Sequence, residues 1–116
     1  MFSRFPFFML PRQQHVLNAL ASCATACDQC TTLGLASLPL QAHLRSFRLS
    51  RDCADLCRLA AAFLAREAEH TPHLLRECAE LCRACADACT QFDTLQHRAC
   101  TEACRRGEDA CRTAFV

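Results

Sequence analysis

The cysteines of this chain recur at intervals of three and four. Cys23, Cys27 and Cys30 form one set and Cys53 and Cys57 a second. Cys78, Cys82, Cys85 and Cys89 form a third, and Cys100, Cys104 and Cys111 a fourth. Residues three or four apart are neighbours on an α-helix. At about 100° per residue, each set falls in one narrow sector of its helix. Cys53 and Cys57 share their face with Ala60 and Leu64. A chain that obeys this spacing must form four helices, each with a stripe of thiols on the face that ordinarily carries Leu and Ile.

The intervening sequence agrees. Alanine, leucine and arginine dominate between the cysteines, and all three are strong helix formers. There are two glycines, four prolines, and no Trp or Tyr. Nothing alternates as a β-branched strand would. The expected class is all-α. A chain of 116 residues is one domain and can bury a core without disulfides. Its hydrophobic content of 52% excludes a disordered chain.

Local signals place the helix ends. Pro11 opens a first helix over Arg12 to Leu33, with Gly34 as its stop. Ser37 and Pro39 start a second helix that runs to about Glu69. Thr71-Pro72 caps and opens a third, ending near Phe92. Asp93 or Thr94 caps a fourth that reaches about Ala114, and Gln96 fits a capping box with Asp93. Gly107 inside it either permits close approach to a neighbour or carries no structural meaning. Short connections give an antiparallel, up-down-up-down four-helix bundle over residues 12–116. Residues 1–11 form a Phe-rich arm containing Phe2, Phe5, Phe7 and Phe8. Pro6 and its shortness exclude a membrane span. The arm is expected to pack on the bundle or on a neighbouring subunit.

Charge and motifs exclude several functions. Net charge is +1, and all thirteen basic residues are arginine, interspersed with acids. That is a mixed solvated surface rather than a nucleic-acid footprint. There is no nucleophile–base pair, phosphate loop or open catalytic metal site, so no enzyme is expected. No export segment is evident, which points to the cytoplasm, where clustered thiols stay reduced and bind metal more often than they pair.

Counting residues from each turn estimates levels along the bundle. Cys30 then faces His43, Cys27 faces Ser46 and Cys23 faces Ser50. Across the third turn Cys89 faces His97, Cys85 lies near Cys100, and Cys82 faces Cys104. Both turns are at one end. Singly, His43 or His97 reads as a surface residue or dipole partner; together beside a ring of thiols they are candidate ligands. His15, His70 and His73 read as surface residues. Ser46 and Ser50 either solvate the mouth or stand at vacant ligand positions. Val16, Leu17, Leu20, Phe63, Leu64, Leu74 and Leu75 are expected to plug the opposite end.

Thiolates are soft and select Cu(I), zinc or iron–sulfur clusters. Cu(I) suits a helical stripe best, because it accepts two or three sulfurs and neighbouring ions can share them. About twelve monovalent ions would neutralise twelve thiolates, whereas tetrahedral zinc would leave negative charge in the core. Iron–sulfur clusters more often draw cysteines from wrapping loops. The expected cofactor is therefore Cu(I), several ions per chain. Two alternatives stand beside it: a zinc or cadmium thiolate buffer, and a disulfide-stapled interaction or chaperone module, cross-linked for example at 82/104 and 85/100.

The Cys-x-x-x-Cys pairs 23/27, 53/57, 78/82, 85/89 and 100/104 within a four-helix bundle resemble the bacterial cysteine-rich copper storage proteins. The resemblance covers Arg12 to about Ala114. It implies a homotetramer of bundles, each holding many Cu(I) ions, with all twelve cysteines as ligands and a histidine at the open end. Lacking an export segment, the chain is similar to the cytosolic branch, and a copper chaperone or efflux protein is a candidate partner. It departs in two ways. Members of the family can carry more cysteines, and exported ones place methionines at the mouth. Here the methionines are Met1 and Met9, in the arm.

Overall fold

The computed structural model describes residues 11–37 and 39–115. Among these residues the fold is made of four helices: α1 (Pro11–Ser37), α2 (Leu40–Ala65), α3 (Thr71–Cys89) and α4 (Leu95–Thr113). Each packs on the next, and α4 closes the ring on α1. The Phe-rich arm lies outside the described residues, apart from Pro11, which begins α1. No helix among the described residues is long and apolar enough to cross a membrane.

Helix ends show which local signals prevailed. Gly34 does not stop α1; the helix passes through it to Ser37, and no glycine takes a positive φ among the described residues. Glycine in a helix costs only about 1 kcal/mol against alanine, which packing readily offsets. The longer α1 moves the first turn, so the level estimate there is off by about one helical turn. Cys23 faces Cys53, at 3.8 Å between sulfurs, rather than Ser50. Ser50 instead sits beside Cys85, Cys89 and Cys100.

Helix α2 ends at Ala65, short of Glu69. Ala68 N–H donates to the Phe63 carbonyl at 2.9 Å and Glu67 N–H to Leu64 at 3.1 Å. These are the paired bonds of a Schellman motif, with Glu67 in the left-handed position at φ 53°. His70, not Thr71, occupies the cap position of α3. The Thr71 hydroxyl donates back to the Ala68 carbonyl at 2.6 Å and to that of Phe63 at 3.2 Å. At α4, Thr94 is the cap and accepts from His97 N–H at 3.0 Å. His97 thus holds the third helical position, and no Asp93–Gln96 box forms there.

The core has three zones. Val16, Leu20, Leu64 and Leu75 fill one end, with Leu17 packed against them. Phe63 and Leu74 are only half-buried, and Arg66 lies over the Phe63 ring at 4.7 Å. Thiols and alanines fill the middle, and His43, Phe47 and His97 fill the other end. Outside, Arg105 pairs with Asp87 at 2.9 Å and Arg112 with Glu80 at 2.7 Å, joining α4 to α3. Arg58 pairs with Asp28 between α2 and α1. Water screens such half-exposed pairs, so they fix register more than they stabilise.

Candidate metal centre

All twelve cysteines are free and buried. Each helix brings its stripe inward because the cysteines occupy the sector opposite its charged residues. The result is a connected file of sulfur atoms along the bundle axis. Cys57 lies 3.6 Å from Cys78 and 3.9 Å from Cys53. Cys53 lies 3.6 Å from Cys82. Cys23 joins Cys82 at 3.8 Å to Cys104 at 3.5 Å. Cys104 contacts Cys27 at 3.6 Å and Cys100 at 3.9 Å, and Cys100 contacts Cys85 at 3.9 Å. The expected neighbours Cys85 and Cys100 do meet.

Four groups of thiols are tight enough to hold an ion. They are Cys23, Cys53, Cys57 and Cys82; Cys23, Cys27, Cys53 and Cys104; Cys27, Cys85, Cys100 and Cys104; and Cys30, Cys89 and Cys100. Within each, every ligand atom lies within 4.8 Å of the others. The groups overlap: Cys23, Cys27, Cys53, Cys100 and Cys104 each belong to two. Neighbouring ions would therefore have to share sulfurs. Cys78 and Cys111 fall outside these groups, although Cys78 touches Cys57.

The thiols perturb one another strongly. Cys23 is pushed down, first by its bond to Cys104, and Cys85 is pushed down by Cys100. Cys30 is pushed up to about 12, first by Cys100. Cys78 is pushed up, first by Cys111 beside it. A thiol that accepts a neighbour's S–H is favoured in its ionised form, burial opposes ionisation in each of them, and the donors keep their protons. Metal must displace those protons as it binds.

The histidine end is a small aromatic cap. His43 and His97 are buried, as are Ser46 and Phe47. The His43 ring lies 4.0 Å from Phe92, 5.4 Å from His97 and 5.7 Å from Phe47. Nδ1 of His43 donates to the Pro39 carbonyl at 2.9 Å, which leaves Nε2 with its lone pair. Ser46 gives its proton to the His43 carbonyl, so at 3.4 Å it accepts from His97 Nε2. The Thr94 hydroxyl, 2.8 Å from His97 Nδ1, then donates to it. His43 is thus in the tautomer a metal needs, and His97 reaches that tautomer when Thr94 turns from donor to acceptor. Burial first, then His43, lowers the His97 pKa. Neither imidazole belongs to the four thiol groups.

Sequence reasoning brought the two histidines to one end but missed Phe47 and Phe92. The signal available was the i, i+4 spacing of His43 and Phe47. It also left Gly107 open. A Cβ there would meet Cys82 Sγ at 3.3 Å and Cys23 Cβ at 3.4 Å, so glycine eases a close approach of α4 to the thiol file.

A four-helix bundle with a continuous interior of shared thiols defines a multinuclear metal–thiolate protein. The family model for the copper storage proteins matches residues 10–116. The chain belongs to that family. It is 33% identical over 98 residues to YhjQ of Bacillus subtilis, an uncharacterized cysteine-rich protein, covering 84% of this chain and 90% of that one. Among solved structures, the Cu(I)-bound copper storage protein Csp3 of B. subtilis is 30% identical with TM-score 0.85, covering 90% of this chain and 99% of its own. The cytosolic copper storage protein of Streptomyces lividans, solved with five coppers, is 32% identical with TM-score 0.85, covering 90% of this chain and 92% of its own. A structure of that protein loaded with 10 copper equivalents is also similar, with TM-score 0.86 and 31% identity, covering 90% of this chain and 83% of its own.

Proposed function

We propose that this chain stores Cu(I) as thiolate clusters inside its bundle, with all twelve cysteines as ligands and His43 and His97 at the mouth. The observation that carries the reading is the overlap of the thiol groups. Only two of the four-thiol groups, Cys23/Cys53/Cys57/Cys82 and Cys27/Cys85/Cys100/Cys104, share no member. A tetrahedral dication could take those two, at sulfur spacings of roughly 3.8 Å, and would leave the rest idle. A monovalent ion that accepts two or three shared sulfurs uses the whole file and neutralises it. His43 Nε2 offers a weaker, less soft ligand outside the thiols, which suits passing an ion inward rather than holding it.

The finer features follow from the resemblance: residence in the cytosol, a tetramer of bundles, and exchange with a copper chaperone or efflux protein.

Anaerobic Cu(I) titration of the reduced chain against a competing chelator tests the reading. Saturation is expected on the order of ten ions, with about twelve as the limit of one per thiolate. Saturation at one or two ions would overturn it. The zinc or cadmium buffer is the second reading, because the two disjoint groups fit tetrahedral ions. Zinc displacing Cu(I) at equal free concentration would favour it.

A further inference from the structure

The sulfur file does not stop at the apolar plug. Cys111 is the one cysteine with measurable exposure, at 5%; the other eleven are at 0%. It lines a cavity of about 460 Å³ together with Pro72, Leu75, Arg76, Arg112 and Phe115. Arg112 is held by Glu80 at 2.7 Å and Glu108 at 3.0 Å. Arg76 is exposed and has no ion-pair partner among the described residues. From Cys111 the file runs inward through Cys78 beside it, then Cys57 at 3.6 Å from Cys78.

We infer that Cys111 and Cys78 form a second port at the plugged end, which exchanges Cu(I) with a small thiol carrying carboxylates. This rests on the copper-storage reading. Four observations carry it: a cysteine on the wall of a cavity, the small-molecule size of that cavity, an uncommitted guanidinium at its wall, and a second thiol leading into the store. The cavity walls at Pro72, Leu75 and Phe115 are apolar and suit the carbon skeleton of such a thiol. Arg76 supplies the positive charge that its carboxylate seeks.

The exchange balances without redox chemistry. A complex of one Cu(I) and two external thiolates carries one negative charge. The Cys111 thiol replaces the first external thiolate, which leaves as a thiol with the Cys111 proton. Cys78 replaces the second in the same way. Copper stays Cu(I), two external thiols are released, and the negative charge remains on the bis-cysteinyl ion. Cys57 then takes over from Cys111 as the ion moves inward.

Two measurements on the full chain test this. The first labels the reduced, metal-free protein with iodoacetamide under native conditions and maps the modified peptides. Cys111 is expected to react roughly tenfold faster than any other thiol, because reactivity follows access. First reaction at Cys30 or Cys89, or equal rates at all thiols, would overturn the port. The second follows copper uptake from the Cu(I)–glutathione complex in wild type, Cys111→Ser and Arg76→Gln. Both variants should take up copper severalfold more slowly. With Cu(I) delivered by neutral 2-mercaptoethanol, Arg76→Gln should match wild type. Wild-type rates in both variants from glutathione would overturn the proposal. Arg76 is exposed and unpaired, so its variant folds even if Cys111→Ser does not. Wild type that binds no copper at all would sink the storage reading instead, and the labelling pattern would still report whether the port exists.

Discussion

Gly107→Ala separates what the helix wants from what the metal file needs. Gly107 sits inside α4, where alanine is favoured by about 1 kcal/mol. Against this, the new Cβ meets Cys82 Sγ at 3.3 Å, Cys23 Cβ at 3.4 Å and Cys23 Sγ at 3.5 Å. Overpacking a tight core costs about 1–3 kcal/mol. Here the cost falls at the low end, because the closest atom is the free end of a rotatable thiol that need give by only a few tenths of an ångström. In the metal-free protein the two effects nearly cancel, and the net change stays within about 1 kcal/mol of zero.

Copper removes that freedom. Cys23 and Cys82, 3.8 Å apart, belong to one four-thiol group. Once an ion holds both sulfurs, neither can retreat from the added methyl. The full overpacking cost then falls on the loaded state. The expected result is an unchanged urea midpoint for the metal-free variant, together with loss of about one ion or roughly tenfold weaker binding of the last ions. Urea unfolding and chelator-competition titration read the two halves. A variant stabilised by the full alanine propensity, with unchanged copper capacity and affinity, would refute the claim that glycine is there to make room for sulfur.

Changing both His43 and His97 to Ala should slow copper loading or unloading severalfold while leaving capacity nearly intact, as followed by stopped-flow transfer to a chelator; unchanged kinetics would remove the histidines from the route. Metal-free protein should stay mostly helical by far-UV circular dichroism, unlike a zinc finger, since its helix formers and its Val16, Leu20, Leu64 and Leu75 plug need no ion; a coil spectrum would contradict this. His97 is neutral in the fold, with its pKa held below the ordinary 6.5. The unfolded chain therefore takes up a proton there first, and metal-free stability should fall as pH drops below about 6.5; His97→Gln should flatten that part of a urea-midpoint profile. Replacing Cys23 by Ser, which breaks two thiol groups, should cost more copper than replacing Cys30, which breaks one.

The stripes were legible because helical spacing alone decides which residues share a face. No knowledge of partners is needed to see that Cys78, Cys82, Cys85 and Cys89 look the same way. Relations between helices were less legible. Gly34 reads as a stop, yet nothing in a helix forbids it. One misplaced end moved Cys23 from Ser50 to Cys53, a full turn along the bundle. Across the α3–α4 turn, where Thr94 caps as expected, the Cys85–Cys100 level was right. Phe63 reads as plug by hydrophobicity, but burial depends on which side of α2 faces inward, and its ring meets Arg66 instead. The meaning of Gly107 lies wholly on other helices, in Cys82 and Cys23. The exposure of Cys111 depends on how α3 begins and α4 ends, which a local pattern does not encode.

The arrangement also explains why the filler between the thiols is alanine. Ala54, Ala60, Ala79, Ala86 and Ala110 are fully buried beside the file. A leucine at any of these sites would add apolar burial, worth about 1.5–3 kcal/mol, but would occupy the space that clustered ions require. Stability is instead drawn from helix propensity and from the apolar end. The sulfurs stand 3.5–4.0 Å apart along most of the file, so an ion can gain the next thiolate before it leaves the last. Such a step needs a metal content with two or three ligands at any moment, which Cu(I) is and a tetrahedral dication is not. On the storage reading, the geometry that lets ions share ligands is also the geometry that would let them move, by way of the same sulfurs.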